Sequence, residues 1–533
     1  MRPLTRADKL AALEQEWDLV VVGGGISGAG VLREAARRGW KALLIEQRDF
    51  AWGTSSRSSK LVHGGLRYLK EGRFGLTLHS VRERQRLMAE APELIETQSF
   101  LFGDFAGRKP GRWLFQLGLE IYDRMAGQRS HRYVDAHAAS TFAPGLAQRD
   151  LRGAMLYLDA KTDDARLVLR VLQEAQADGG IALNYMAARQ LRLDGGRVSG
   201  IEVEDSETGL RHTLRARTVV NATGAWADRL RGQLGRAPTL RPLRGSHLTF
   251  PAWRVPVAQS ISAMHPHDGR PVFIYPWEGV TLVGTTDLDH GGELDCEAAI
   301  SADEVAYLLA AVNDQLPGLA VGYDDIVASY AGVRPVVDDG TGDPSSAGRD
   351  HVVMDEDGLI TVTGGKLTTF RLMALDALRL AAGRLNRPLG NSDGPMFSPA
   401  IEPRGLNPAA TARLLNRYGP LAAIAARQAG HGELDWIAGS ASLWLELRWA
   451  ALHESVVHLD DLLLRRTRLG IVLPQGGLGQ IERIRTLVQP ALGWDEGRWL
   501  NEVARYRSLI DAHYSLPPRE TVPGWQRYLA PKA

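Results

Sequence analysis

Three glycines spaced as Gly23-x-Gly25-x-x-Gly28, with the acid Glu46 one helix and one strand further on, have types and spacing that imply chemistry. The first glycine permits a tight turn, the second lets the backbone approach a pyrophosphate, and the third allows close helix–strand packing. The N–H groups that open the helix, around Ile26 and Ser27, face no helical partner and suit phosphate oxygens. The Glu46 carboxylate can accept hydrogen bonds from ribose hydroxyls, and it disfavours a 2′-phosphate, which sets NADP aside. Spacing alone does not separate FAD from NAD.

The context strengthens the motif. Leu19 to Val22 reads as a buried strand, Ile26 to Arg38 as a helix stopped by Gly39, and Ala42 to Ile45 as a second strand. Met1 to Trp17 reads as a mobile or short helical lead-in. Leu76 to Ile95 has helical spacing. Ile181 to Asn184, Val198 to Val203 and Thr218 to Asn221 are strand candidates. SHLTF, PVFIYPW and VTLVGTT, between Leu243 and Thr286, announce a second sheet. Ser301 to Gln315 is helical, and Leu359 to Phe370 returns to strand, glycine turn and helix. The loop NRPLGNSDGPMFSPAIEPRG then leads into Ala-, Leu- and Arg-rich helical segments.

A chain of 533 residues needs more than one core. Its 63 basic and 62 acidic side chains give a formal charge of +1, so nucleic-acid binding is not expected. The single cysteine, Cys296, excludes an internal disulfide and a four-cysteine metal site, and reads as an inert packing residue; no metal is expected. No run of 18 or more apolar residues exists, and the uncharged stretch Leu19 to Leu32 is glycine-rich, follows Glu14, Glu16 and Asp18 and lacks a signal-peptide cleavage site, so cytoplasmic residence is expected.

Further along stand TSSRSSKLVHGGLRYL (Thr54 to Leu69), VNATGAWAD (Val220 to Asp228), GSH (Gly245 to His247) and PWEGVTLVGTTD (Pro276 to Asp287). GVRPVVDD (Gly332 to Asp339), GGKLTTFR (Gly364 to Arg371) and DDLLLRRTRLG (Asp460 to Gly470) follow. In these ordered blocks the chain resembles the aerobic, FAD-linked glycerol-3-phosphate dehydrogenases of the D-amino-acid-oxidase-like flavoproteins. The resemblance implies an α/β architecture: a Rossmann-like FAD-binding domain, an interleaved β-sheet substrate domain and a C-terminal helical domain. The FAD-binding segments are expected at about 17–75, 155–235 and 330–389, the substrate segments at about 76–154 and 236–329, and the helical domain at 390–533.

The resemblance also implies which residues meet cofactor and substrate. Thr54, Ser55, Ser58 and Ser59 are small hydroxyl residues that can line a flavin, with Lys60 and His63 in the same loop. Ala222, Thr223 and Gly224 allow close approach to the adenosine half, and Gly364, Gly365, Lys366, Leu367 and Thr368 present a second glycine turn. The implied substrate is sn-glycerol 3-phosphate. Arg67, Arg334, Arg349 and Lys366 are the cations for its phosphate; for the arginines the guanidinium fork matches that group. His247 is the first candidate for general base, with Arg334 and Lys366 also at the reacting centre. Tyr68 and Thr369 close the site or hydrogen-bond its contents.

Electrons are expected to pass to ubiquinone or another membrane quinone, with the protein held peripherally on the inner face of the cytoplasmic membrane, as a possible homodimer. Arg465, Arg466 and Arg468 read either as a contact for anionic lipid or as a solvated or salt-bridged face. Three other readings remain open on sequence: an α-glycerophosphate oxidase using oxygen, a related amine or 2-hydroxy-acid flavoenzyme, and a non-catalytic flavoprotein subunit.

Overall fold

The structure, a computed structural model, describes residues 4–66, 69, 72–338, 340, 350–391 and 393–532. Arg67, Tyr68 and Arg349 lie outside the described residues.

The expected opening unit forms. Leu19–Val22 is wholly buried, and it pairs in parallel with Ala42–Ile45 on one side and Val219–Asn221 on the other. Ile181–Leu183, Leu359–Gly364 and His351–Glu356 complete a six-stranded sheet, in which the last pair alone is antiparallel. Alternation along the central strand divides its side chains between two layers. Leu19 and Val21 enter a core shared with helices Ile26–Ala36, Asp164–Ala177 and Phe370–Leu385. Val20 and Val22 face the other way, towards a four-stranded sheet built from residues 16–17, 186–194, 197–205 and 211–216.

Gly28 is where the helix meets the strand end. A Cβ there would fall 1.9 Å from the Gly23 carbonyl oxygen, so any side chain would push the two apart. The lead-in is not loose: Arg6–Ala11 is a helix capped by Thr5 and Asp8, and Glu16–Trp17 pairs with Arg215–Ala216.

The second large sheet has nine strands, with Leu240–Pro251 paired to both Val280–Gly284 and Ala328–Val337. Glu96–Phe105 and Leu151–Lys161 extend it. One face packs on helix Ala302–Gln315, whose N-terminus carries a Ser301/Glu304 capping box. On the other face Tyr275, Trp277 and Tyr330 share a core with C-terminal residues such as Leu462, Leu463 and Tyr506.

The C-terminal part is helical, including Pro408–Tyr418, Trp444–His453, Ile481–Leu492 and Glu496–His513. Within the block Asp460 to Gly470, Asp461–Arg466 forms a short π-helical segment. Its arginines and Arg468 follow the salt-bridged reading and not the lipid contact. Arg465, Arg466 and Arg468 are 1%, 0% and 1% exposed, so they form neither a lipid contact nor a solvated face. Arg465 pairs with Asp49, Asp460 and Asp461, Arg466 with Asp49, and Arg468 with Asp163 and Asp164. Cys296 is exposed, not packed inside.

Candidate active site

A cavity of about 390 Å³ lies at the ends of the parallel strands, where α/β sheets bind ligands. Glu46, Gln47 and Arg189 line one region and Gly23, Gly25, Ile26 and Ser27 another. Thr54, Ser55 and Ser58, with Gly364, Gly365, Lys366 and Leu367, line a third, and Ala222, Thr223 and Gly224 also contribute. Glu46 Oε2 accepts from the Gly24 N–H at 2.6 Å, and Ser55 Oγ accepts from the Ile26 N–H at 3.0 Å, which ties the serine loop to the glycine turn. The lining fits FAD: an acid for ribose, a glycine turn and helix start for pyrophosphate, and hydroxyls with small residues for the ring.

His247 and Arg334 reach this region from neighbouring strands of the nine-stranded sheet, Leu240–Pro251 and Ala328–Val337. Neither lines the cavity, but each adjoins a liner: Arg334 precedes Pro335, and His247 meets Ser59, the neighbour of Ser58. Glycines make room for both. A Cβ on Gly245 would fall 2.2 Å from an Arg334 guanidinium nitrogen, and one on Gly284 would fall 2.1 Å from His247 Cδ2. Arg334 Nη1 donates to Asp287 Oδ1 at 2.8 Å and Nη2 to Thr285 Oγ1 at 3.0 Å, which fixes the fork.

His247 stacks on Tyr330, ring centroids 4.7 Å apart and 8° from parallel. Its Nε2 lies 2.9 Å from Ser59 Oγ, and its buried Nδ1 has no hydrogen-bond partner among the described residues. Burial first, then the charges of Lys60 and Arg334, hold its pKa well below the ordinary imidazole value. The ring is therefore neutral at physiological pH, the state a proton acceptor requires.

Lys366 lines the cavity, with Nζ donating to Ser80 Oγ at 3.1 Å. Thr369 is buried in the turn that follows, and Thr368 Oγ1 donates to the His63 carbonyl at 3.2 Å. Five residues expected at the cofactor, Gly28, Ser59, Lys60, His63 and Thr368, are not liners. Gly28 serves packing and Ser59 touches His247. Lys60 departs most from expectation: it is 0% exposed and donates to Asp164 Oδ1 at 3.0 Å and the Ser56 carbonyl at 2.9 Å, beneath the loop.

Sequence reasoning missed Asp164, Tyr330 and Glu304. Glu304 accepts from Ser246 Oγ at 2.8 Å and Thr286 Oγ1 at 2.6 Å, which braces the residues beside His247 and Arg334. Its capping-box spacing from Ser301 was a visible signal for helix structure, though not for this second duty.

A family model described as FAD dependent oxidoreductase matches residues 18–374, and one described as the C-terminal domain of alpha-glycerophosphate oxidase matches residues 379–499. Glycerol-3-phosphate dehydrogenase 2 of Mycobacterium tuberculosis is 34% identical over 525 residues, covering 93% of this chain and 88% of its own length. The aerobic glycerol-3-phosphate dehydrogenase of Staphylococcus epidermidis is 38% identical over 384 residues, covering 71% of this chain and 69% of its own. The structure of the Bacillus halodurans glycerol-3-phosphate dehydrogenase complexed with FAD superposes with a TM-score of 0.74 at 27% identity, covering 95% of this chain and 97% of that one. The glycine turn, the serine loop and the His247–Arg334 strand pair thus sit in a member of the glycerol-3-phosphate dehydrogenase family of FAD-dependent oxidoreductases.

Proposed function

We propose that the chain oxidises sn-glycerol 3-phosphate to dihydroxyacetone phosphate. FAD, when bound, supplies the acceptor for the hydride that leaves C2. The observation that carries the proposal is a buried His247 beside Ser58–Ser59, on the strand paired to the one that bears Arg334. Arg334 and Lys366 hold the phosphate dianion, with Arg67, Arg349, Tyr68 and Thr369 completing the substrate contacts. In the tautomer whose Nε2–H donates to Ser59 Oγ, the lone pair on His247 Nδ1 is left to take the hydroxyl proton. Charge on the forming alkoxide is stabilised by the same cations, and the fixed position of the phosphate orients C2. Arg334→Ala is expected to raise KM for sn-glycerol 3-phosphate about 100-fold or more, since a charge-assisted pair with the phosphate is lost. An unchanged KM in steady-state assays removes Arg334 from the phosphate site.

The acceptor of the electrons is a membrane quinone, and the protein works as a homodimer on the inner face of the cytoplasmic membrane; the block resemblance to the aerobic dehydrogenases supports both. No helix among the described residues is long and apolar enough to cross a membrane. Helix Arg112–Ala126 supports peripheral attachment. Its inner side buries Leu119 and Tyr122, yet Trp113, Leu114 and Leu117 are 74%, 68% and 58% exposed on its outer side. Lys109, Arg129 and Arg132, close to the helix in sequence, are exposed as well. An apolar surface helix with exposed cations near it in sequence suits an anionic bilayer.

One observation favours an oxygen-using oxidase instead: the C-terminal match is to a domain described from alpha-glycerophosphate oxidase. Turnover with a quinone analogue, compared with oxygen uptake and peroxide release, separates the two. Quinone reduction without stoichiometric peroxide supports the dehydrogenase, and peroxide equal to product overturns it.

A further inference from the structure

The block Asp460 to Gly470 lies far along the chain from the glycine turn and the serine loop, yet one of its arginines ends beneath the cavity. We infer that Asp164, held in place by Arg468 from the C-terminal part, is a positioning residue for the loop Thr54–Lys60 and, through Ser59, for His247.

The contacts form a connected path. Arg468 Nη2 donates to the Ser56 carbonyl at 2.8 Å and to Asp164 Oδ1. Arg468 Nη1 donates to Leu464 O at 2.7 Å, and Nε pairs with Asp163 Oδ1 at 3.1 Å. Asp164 Oδ2 accepts from both the backbone N–H and the hydroxyl of Ser58, at 2.9 and 2.7 Å. Lys60 Nζ reaches Asp164 Oδ1 at 3.0 Å. Thr54, Ser55 and Ser58 line the cavity from above while Asp164 and Arg468 hold the loop from below. The next residue, Ser59, contacts His247 Nε2 at 2.9 Å, and hydroxyls of Tyr330 and Tyr275 donate to the Ser58 and Ser59 carbonyls.

Such a buried set stays ordered only when every charge is matched, and removing one partner leaves another uncompensated. Asp163 and Asp164 face Lys60, Arg468 and Arg417; Arg417 also pairs with Glu446. Lys60 lies 4.6 Å from the centroid of Tyr330, the ring on which His247 stacks, so the cluster also sets the field at the imidazole. The charged and titratable groups around His247 are Lys60, Arg334 and Tyr330. Helix Asp164–Ala177 is thus more than packing for the dinucleotide unit, because its first residue joins the C-terminal part to the cofactor loop.

The test uses full-length holoenzyme carrying Asp164→Asn, Arg468→Gln or Arg468→Lys. Arg448→Lys is the control: it weakens a partly buried pair with Glu433, whose other side-chain bonds go to Gln428 and Gly430 and not towards the loop. FAD retention is measured without substrate, and the acidic limb of kcat/KM with sn-glycerol 3-phosphate. Only the second readout rests on the proposed reaction, so the two can fail separately. Asp164→Asn and Arg468→Gln are expected to weaken FAD binding about tenfold or more and to move the acidic limb by about half a pH unit or more. Arg468→Lys keeps the charge but lacks a fork that serves Ser56, Asp163 and Asp164 together, so it should restore the limb more than the FAD affinity. The control should lower the melting temperature and leave both readouts unmoved. If the neutral variants do not fold, Arg468→Lys decides by the same readouts. Wild-type FAD affinity with an unmoved limb, despite a lowered melting temperature, overturns the inference.

Discussion

Two segments of this protein invert the usual division between inside and outside. Asp460 to Gly470 carries three arginines and two aspartates, all of them buried. Helix Arg112–Ala126 carries Trp113, Leu114 and Leu117 into solvent. The charged segment is inside because each arginine finds carboxylates placed by other parts of the chain: Asp49 after the second strand, Asp163 and Asp164 at a helix start. The apolar segment is outside with no covering element among the described residues. Buried charge here implies a partner already present, and exposed apolar surface implies one that arrives later.

Removing a partner from the buried set should have the largest effect. Arg466→Met leaves Asp49, 0% exposed, with one arginine instead of two. The expected loss is about 3–5 kcal/mol in chemical denaturation, with partial recovery in the Arg466→Met, Asp49→Asn double variant. A loss no larger than that of a surface substitution would show that the pair adds nothing to stability.

A smaller effect should appear with pH at the edge of the same segment. His458 bonds Glu502 Oε1 at 2.9 Å and Glu207 Oε1 at 3.0 Å. Burial opposes its charge, but the two carboxylates outweigh burial and raise its pKa to about 9. Because the folded value exceeds the unfolded one, the stabilisation is complete below about pH 6.5 and is lost as pH rises through about 9. With allowance for partial solvent screening, about 1 kcal/mol should disappear over that window, and His458→Gln should remove the slope. An unchanged slope in the variant assigns it to other groups.

The exposed helix should show the smallest change in stability and a large change in location. Trp113→Ser with Leu114→Gln and Leu117→Gln is expected to alter unfolding free energy by about 0.5 kcal/mol or less. The same protein should lose sedimentation with phosphatidylglycerol-containing vesicles while still reducing a soluble dye. Retained vesicle binding moves the membrane surface elsewhere, and a change in oligomeric mass assigns the face to a second copy of the chain.

The contrast also explains what the sequence made legible. Gly23, Gly25, Gly28 and Glu46 act through local geometry, so their spacing announced a strand, turn and helix that the structure shows in place. Arg465, Arg466 and Arg468 act through Asp49, Asp163 and Asp164, which are near only after folding, and a run of arginines looks the same whether buried or solvated. Lys60 sits in the cofactor loop by sequence, but its ammonium turns towards Asp164, a partner that no local pattern reports. His247 and Arg334 stand in blocks shared with the family, whereas their bracing by Glu304 and Asp287 depends on strand pairing that no local pattern reports.

The central chemical claim is tested by adding sn-glycerol 3-phosphate anaerobically to the purified, FAD-loaded enzyme and following the flavin absorbance band. Bleaching of the band at a rate that saturates with substrate, with one dihydroxyacetone phosphate formed per flavin, is the predicted result. A band that stays oxidised, or that bleaches equally with glycerol lacking the phosphate, would contradict it.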